Sequence, residues 1–121
     1  MACQPGADLR LFAVPAGRII NLSSSLGSPT LNGDPTSTYY AQRFIGYNAS
    51  KAALNMLTIQ LSEELTGTGI VINSVSPGFV KTDLTGYGKM TPEEGAKLPV
   101  QFALAGEKSG SFVEPDGKTP W

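Results

Sequence analysis

The sequence predicts an α/β fold, a truncated βαβαβ unit with a parallel sheet that corresponds to half of a doubly wound fold. Two apolar runs, at 18–23 and 70–75, are short, nearly continuous and rich in β-branched residues, which is typical of strands covered on both faces. A long helical pattern lies between them, and a second helix and a short strand follow. The order strand, helix, strand, helix, strand predicts right-handed crossovers and three parallel strands.

The first half of the unit is one strand and one long helix. Residues 18–23 form the strand, which ends in three consecutive serines. Residues 27–38 are predicted as loop, because proline, Asn-Gly and Asp-Pro interrupt them repeatedly. From 39 to 65 the apolar residues follow the 3.6-residue period over a wide arc, so we expect a helix that is buried on more than one side.

The second half begins where Thr66-Gly67-Thr68-Gly69 ends the long helix. After the strand at 70–75, another helix is expected to open at Thr91, the candidate N-cap. Glu94 lies at capping-box distance from it, and Pro92 occupies the first helical position. Residues 111–113 form the last short strand before a tail that contains proline and glycine.

Length and composition limit the kind of protein. At 121 residues the chain is about one domain, and we expect a single partial domain over 1–121, with 1–8 disordered and 9–121 folded. Histidine is absent and Cys3 is the one cysteine, which excludes Ser-His-Asp and Cys-His nucleophiles, imidazole metal sites and internal disulfides. A net charge of −1 and the lack of a long apolar run predict no nucleic-acid partner, no membrane contact and a cytoplasmic location.

Tyr47 and Lys51 are the first candidates for chemistry. They lie four residues apart, so a helix places the phenol and the ammonium on one face. A phenol titrates near pH 10, and a cation held close to it favours the phenolate that acid–base work at neutral pH requires. The spacing alone is also that of an ordinary solvated pair, which is how we interpret Tyr39 and Arg43.

Two polar segments follow the predicted strands. Ser24 comes directly after the first strand, and residues 77–82 come after the second. Ligands of doubly wound folds bind outside the carboxyl ends of the strands, so both segments are expected to line a site. Taken separately, the serine run is better explained as a polar loop that ends a strand, and the Pro-Gly as an ordinary turn.

The motifs together, in this order, resemble the short-chain dehydrogenase/reductase family, whose fold is Rossmann-like. The matching stretches are GRIINLSSSLG at 17–27, YNASKAA at 47–53 and INSVSPGFVKT at 72–82. The resemblance implies that Tyr47 is the acid–base residue, that Lys51 holds the ribose of a nicotinamide cofactor, and that Ser24 orients the substrate. It also implies that the second strand's loop grips the carboxamide and the adjacent phosphate, through Pro77, Gly78, Val80 and Thr82.

The chain departs from the family pattern in two ways. The TGxxxGxG turn and the NNAG strand of the family have no counterpart here. The stretch TGTG at 66–69 is similar to the turn, but it follows a helix and precedes a strand, which is the opposite order from a phosphate-binding turn. The resemblance therefore covers the C-terminal half of the family, over about 9–121. The spacing from Ser24 to Tyr47 is also long, through an insertion around 27–43 that is expected to shape the substrate cleft.

The resemblance implies an oxidoreductase that interconverts a carbonyl and an alcohol with NAD or NADP, of which NADP is favoured. The residues that choose between the two cofactors belong to the half of the family pattern without a counterpart. Homo-oligomers through the long helix are expected, as in the family. The alternative is a non-catalytic fragment that serves as an oligomerisation or interaction module, because the first strand would then expose an open apolar edge.

Overall fold

The computed structural model describes residues 17–78, 88, 90–106 and 108–121. Strands β1 (Arg18–Leu22), β2 (Val71–Val75), β3 (Phe112–Glu114) and β4 (Gly117–Lys118) form one sheet in the order β1-β2-β3-β4. The β1–β2 and β2–β3 pairs are parallel, and the β3–β4 pair is antiparallel. The α/β class and the parallel strands are confirmed, and a fourth strand is added to the three predicted.

The fourth strand folds the chain's tail back onto the sheet. Glu114 pairs with Gly117, so Pro115 and Asp116 form a two-residue hairpin loop. The ring of Trp121 then stacks on Phe112, with centroids 5.3 Å apart. The sequence predicts only a tail after residue 113, because a two-residue strand carries no periodic signal.

The core is centred on β2, where all five residues are buried. Ile72 and Val75 are fully buried, and Leu65 and Ile70 form a cluster with Ile72. This agrees with the expectation from its continuous apolar sequence. Strand β1 is less covered, since four of its residues are half-buried and Leu22 is exposed.

The first helix, α1, covers Pro29–Gly33, inside the segment predicted as loop. Ser28 caps it, because its side chain accepts a hydrogen bond from the backbone N–H of Leu31. Pro29 occupies the first helical position, where a missing N–H costs nothing. Pro29 and Gly33 are thus the first and last residues of a single short helix, and Asp34-Pro35 follows it.

The long helix, α2, spans Ile45–Glu64, so its predicted start at 39 was wrong by six residues. A series of turns occupies the intervening segment, and the Ser37 side chain accepts a hydrogen bond from the N–H of Tyr39. Such local bonds compete with a helical start. The expectation of burial on several sides was also wrong, because only Asn55 and Thr58 of α2 are buried. Its outer faces are open to solvent in the described part of the chain.

The third helix, α3, covers Pro92–Ala105 and begins as the sequence predicts. The Thr91 side chain accepts from the N–H of Glu94, and the Glu94 carboxylate accepts from the N–H of Thr91, which completes the capping box. At the other end, Arg18 Nε donates to the carbonyl of Gly106 at 2.6 Å. This bond connects α3 to the start of β1.

Candidate active site

The carboxyl ends of β1 and β2 bring the two predicted site segments to one edge of the sheet. Leu22 pairs with Val75, so Ser24 and Pro77 each lie two residues beyond a paired position. Gly78 has a φ of +95°, and a Cβ there would lie 2.9 Å from the sulfur of Met90. A side chain would therefore be strained and crowded at this position. Val80 and Thr82 lie outside the described residues.

Three of the serines that follow β1 donate their hydroxyl protons in hydrogen bonds within the fold. Ser23 donates to Oδ1 of Asn55 at 2.6 Å, and Ser25 donates to Oε2 of Glu114 at 2.7 Å. Ser28 donates to the carbonyl of Pro120 at 2.6 Å. All three serines are buried, so each bond fastens the segment to a different part of the fold.

Ser24 differs from these serines. It is half-buried and caps a 3₁₀ turn at Ser25–Gly27, where its Oγ accepts from the N–H of Leu26 at 3.1 Å. Its hydroxyl proton has no acceptor among the described residues. A hydroxyl that is oriented by one accepted bond still has its donor available for a ligand oxygen.

Tyr47 and Lys51 lie in the first two turns of α2. The ammonium nitrogen of Lys51 is 5.8 Å from the centroid of the Tyr47 ring and donates to the carbonyl of Leu22 at 2.9 Å. Tyr47 is 49% exposed, and its hydroxyl has no partner in the described part of the chain. An ammonium has three N–H donors, so two remain for a ligand after the bond to Leu22.

Gly27 sets the distance between the serine segment and α2. A Cβ on Gly27 would lie 2.7 Å from Cβ of Lys51 and 2.8 Å from its carbonyl carbon. Only a glycine permits this approach, because real Cβ atoms do not come so close to backbone. The 3₁₀ turn that Ser24 caps is thereby packed directly on the helical turn that carries Lys51.

Sequence reasoning missed one residue of this region, Asn55. It is 3% exposed, accepts from Ser23 and donates from Nδ2 to the carbonyl of Gly27 at 3.2 Å. A signal was present, because Asn55 is an amide four residues after Lys51 on the helix face that packs inward. Buried amides of this kind must find partners, so they mark contacts that periodicity alone does not reveal.

Neither the other tyrosine–cation pair nor the cavity adds to the site. Arg43 lies over the ring of Tyr40, 5.1 Å from its centroid, rather than over Tyr39. The pairing expected for Tyr39 and Arg43 on one helix face was wrong, because these residues precede the helix. A cavity of about 360 Å³ opens between the 3₁₀ turn, α1 and one flank of α2. Ser24, Tyr47 and Lys51 are not among its lining residues.

Two classes of site receive no support in the part of the chain that is described. Over those ranges, no group of three His, Cys, Asp or Glu side chains is placed to hold a metal ion. None of the helices there has both the length and the apolarity to cross a membrane. What the edge of the sheet offers is a free hydroxyl donor, a phenol and an ammonium, a set suited to proton transfer at a polarised oxygen.

Comparison with known proteins gives a family and several relatives. The sequence profile of the short chain dehydrogenase family matches residues 7–92. A short-chain type dehydrogenase/reductase from Picea abies is 41% identical over 87 residues, which are 72% of this chain and 28% of that protein. A 3-oxoacyl-[acyl-carrier-protein] reductase from Rickettsia felis is 44% identical over 69 residues, which are 57% of this chain and 24% of that protein.

Solved structures agree with this result. The carbonyl reductase Sniffer of D. melanogaster has a TM-score of 0.66 and 36% identity, and the match covers 90% of this chain and 44% of that one. An NADPH-bound carbonyl reductase from chicken fatty liver has a TM-score of 0.62 and 30% identity, over 93% of this chain and 47% of that one. The chain spans about a quarter of these curated relatives and less than half of these solved ones. On the profile match and these similarities, the chain belongs to the short-chain dehydrogenase family.

Proposed function

We propose that this chain contributes to an NAD(P)-dependent oxidoreductase that interconverts a carbonyl and an alcohol, with Ser24, Tyr47 and Lys51 as its catalytic residues. The observation that carries the proposal is the difference among the serines after β1. Ser23, Ser25 and Ser28 have committed hydroxyl protons, and Ser24 keeps its own. A substrate oxygen at the strand ends can accept that proton in a hydrogen bond.

The residues at this edge fit a nicotinamide cofactor. Lys51 keeps two N–H donors after its bond to Leu22, which suits the paired hydroxyls of a ribose. Gly78, whose φ of +95° disfavours any side chain, presents bare backbone beside Pro77. Backbone of this kind can approach a flat ring closely and hydrogen-bond its carboxamide. The similarity to the NADPH-bound carbonyl reductase from chicken fatty liver supports this cofactor class, and NADP is our first expectation.

The chemistry divides between the cofactor and the chain. A bound nicotinamide supplies the hydride that reaches the carbonyl carbon. Ser24 donates a hydrogen bond to the carbonyl oxygen and polarises it, and Tyr47 delivers the proton that this oxygen takes up. Lys51 favours the phenolate that remains on Tyr47, because an adjacent cation stabilises an anion in a partly shielded cleft. Oxidation of the alcohol follows the same steps in reverse.

The cofactor experiment is a fluorescence titration of the purified chain with NADH and with NADPH. Enhanced nicotinamide emission with either is the expected result, and comparison of the two affinities decides between the cofactors. Absence of binding at millimolar concentrations of both would overturn the proposal for this chain alone. In that case the test is repeated after the N-terminal part of a family member has been fused ahead of residue 9.

The catalytic experiment uses Tyr47→Phe in whichever form shows carbonyl reduction. Because the Tyr47 hydroxyl has no partner among the described residues, its removal should leave the fold intact. We expect kcat to fall by about 10²–10⁴-fold, the usual contribution of a positioned proton donor. Tyr40→Phe is the matched control and should retain activity. Full activity in Tyr47→Phe would assign the proton transfer to another group.

A second candidate is an interaction module without catalysis, acting through self-association on α2. It is favoured by the exposure of Ile45 and Met56, which are 82% and 54% exposed. A chain that self-associates but binds neither cofactor would support this function. The cytoplasmic location expected from the sequence stays a prediction.

A further inference from the structure

We propose that Asn55 is a positioning residue that holds Ser24 in place relative to Tyr47 and Lys51. This rests on the proposed function, since it assigns a role within that same site. The side chain of Asn55 bonds to Ser23 and Gly27 rather than to the three proposed catalytic residues. It acts through the backbone segment 23–27, which contains Ser24.

The side-chain amide of Asn55 binds this segment on both sides of Ser24. Its Oδ1 accepts from the hydroxyl of Ser23 at 2.6 Å, and its Nδ2 donates to the carbonyl of Gly27 at 3.2 Å. The assignment of the two amide atoms follows from chemistry, because a carbonyl can only accept. Nδ2 must therefore face Gly27, and the hydroxyl of Ser23 must be the donor to Oδ1.

Ser24 has no side-chain bond of its own to α2. Its Oγ accepts from the N–H of Leu26, within the same segment. Its placement is therefore inherited from Ser23 and Gly27, the two residues that Asn55 binds. Two further side-chain bonds hold the segment: Ser25 donates to Glu114 of β3, and Nδ2 of Asn32 donates to the carbonyl of Leu26 at 2.7 Å. Neither partner belongs to α2, although Asn32 in turn accepts from Asn48 of that helix at 3.2 Å. Among the described residues, Asn55 is therefore the one on α2 whose side chain bonds directly to this segment.

Asn55 and Lys51 are one helical turn apart, on the same face of α2. Lys51 packs against Gly27, and Asn55 bonds to the carbonyl of that same glycine. One turn of helix therefore fixes both the ammonium and the segment that carries the free hydroxyl. A small tilt of this segment would move Ser24 without disturbing the helix.

The other buried polar side chain of α2, Thr58, provides a matched control. It is fully buried and bonds to Asn21 and Ser74, residues of β1 and β2. Its hydroxyl forms no hydrogen bond with the described segment 23–27. Thr58→Val therefore removes buried polar bonds between α2 and the sheet and leaves the attachment of Ser24 untouched.

Hydrogen exchange of backbone amides tests the attachment without any need for activity. In Asn55→Ala, the amides of Leu26 and Gly27, both bonded to Ser24, should exchange about tenfold faster than in the unsubstituted chain. Amides of β2 should be unchanged. Thr58→Val should leave Leu26 and Gly27 at their original rates. Unchanged exchange in Asn55→Ala, or an equal acceleration in Thr58→Val, would overturn the proposal.

A second variant, Asn55→Asp, distinguishes positioning from general stability. The ionised carboxylate has only acceptors and cannot bond to the carbonyl of Gly27. The protonated acid has an O–H, which can donate to that carbonyl in place of Nδ2. Protection of Leu26 in this variant, relative to the unsubstituted chain, should therefore rise as the pH is lowered. A ratio that does not change with pH would contradict the proposal. This variant also serves if Asn55→Ala does not fold.

Turnover supplies the functional part of the test. We expect Asn55→Ala to lower kcat by about tenfold or more with little change in cofactor affinity, because Lys51 stays in place. A normal kcat together with accelerated exchange at Leu26 would show that Asn55 attaches Ser24 but that this attachment does not affect the reaction. That result would overturn the positioning role of Asn55 in catalysis. If the unsubstituted chain turns over no carbonyl, the exchange results still decide on Asn55, and only the proposed function fails.

Discussion

Lys51 donates from its ammonium nitrogen to the carbonyl oxygen of Leu22 at 2.9 Å, so α2 is bonded to the last residue of β1. Ser24 follows Leu22 by two residues. The bond therefore links the cation of the candidate site to the strand end that leads to its free hydroxyl. It uses one of the three N–H donors of Lys51 and orients the others.

Replacement of this lysine should weaken cofactor binding. Lys51→Met keeps the length of the side chain and removes every donor. We expect the affinity for the cofactor to fall by about tenfold or more, since charge-assisted hydrogen bonds to the ribose are lost. Fluorescence titration measures this loss.

Lys97→Met is the control for that experiment. Lys97 is an exposed residue of α3, so its replacement should leave the affinity for the cofactor unchanged. Equal cofactor affinity in Lys51→Met and in the unsubstituted chain would remove Lys51 from the binding role.

The close packing at Gly27 gives a prediction about stability. In Gly27→Ala the new Cβ would lie 2.7 Å from Cβ of Lys51 and 2.8 Å from its carbonyl carbon, so the 3₁₀ turn must move away from α2. Overpacking of this kind costs about 1–3 kcal/mol in the free energy of unfolding. Urea denaturation followed by circular dichroism measures it.

Gly46→Ala is the matched control, because no described atom lies within 4 Å of its Cβ position. It stands in the first turn of α2, where alanine should stabilise the helix by about 0.5–1 kcal/mol. The two substitutions should therefore change the free energy of unfolding in opposite directions. A stabilised Gly27→Ala would show that the turn and the helix are not in close contact.

The elements with a strong local signal could be predicted from the sequence. Strand β2 is rich in β-branched apolar residues, and the spacing of Thr91 and Glu94 predicts the capping box. The start of α2 could not be predicted, because the residue types just before Ile45 are compatible with a helix. They form turns instead, through local hydrogen bonds such as that from the N–H of Tyr39 to Ser37. Strand β4 depends on its pairing with β3, a tertiary contact that periodicity does not encode.

The site divides in the same way. Tyr47, Lys51 and Ser24 were found because they stand at motif positions on or next to predictable elements. The commitment of Ser23 to Asn55 and of Ser25 to Glu114 could not be read, since these partners lie 32 and 89 residues away in sequence. Only the folded chain shows which of the neighbouring serines keeps a free hydroxyl.

The capping box of α3 predicts a pH dependence of stability. The N–H of Thr91, and then its side chain, hold the pKa of Glu94 below its ordinary value of 4.5, with a smaller contribution from Lys97. A carboxyl whose pKa is lower in the folded state stabilises the fold when it is ionised. This contribution is fully present above the ordinary pKa and is lost as the pH falls through the lowered one.

Glu94→Gln isolates this effect. The unsubstituted chain should be the more stable of the two at neutral pH, and the difference should shrink as the pH falls below about 4.5. Asp34, whose pKa is also lowered, through bonds from the backbone and side chain of Thr36, destabilises both proteins equally in acid. Thermal unfolding across a pH series measures the difference. A gap that stays constant down to acid pH would show that the carboxylate bond does not form in solution.

We expect the chain to self-associate through α2. Ile45, Ala49, Ala53 and Met56 recur every three or four residues and are all exposed, which makes a stripe on one face of the helix. The small alanines let a second helix approach closely, and helix-on-helix packing buries more apolar area than pairing at the β1 edge. We expect light scattering to give a mass above that of the monomer at micromolar concentration.

Met56→Lys should shift the chain toward the monomer, because it buries a charge in that contact. Gln101→Lys makes the same charge change at an exposed position of α3 and should leave the mass unchanged. An assembly that survives Met56→Lys but is lost in Leu22→Lys would place the contact at β1 instead, and a cooperatively melting monomer in the unsubstituted chain would rule out both.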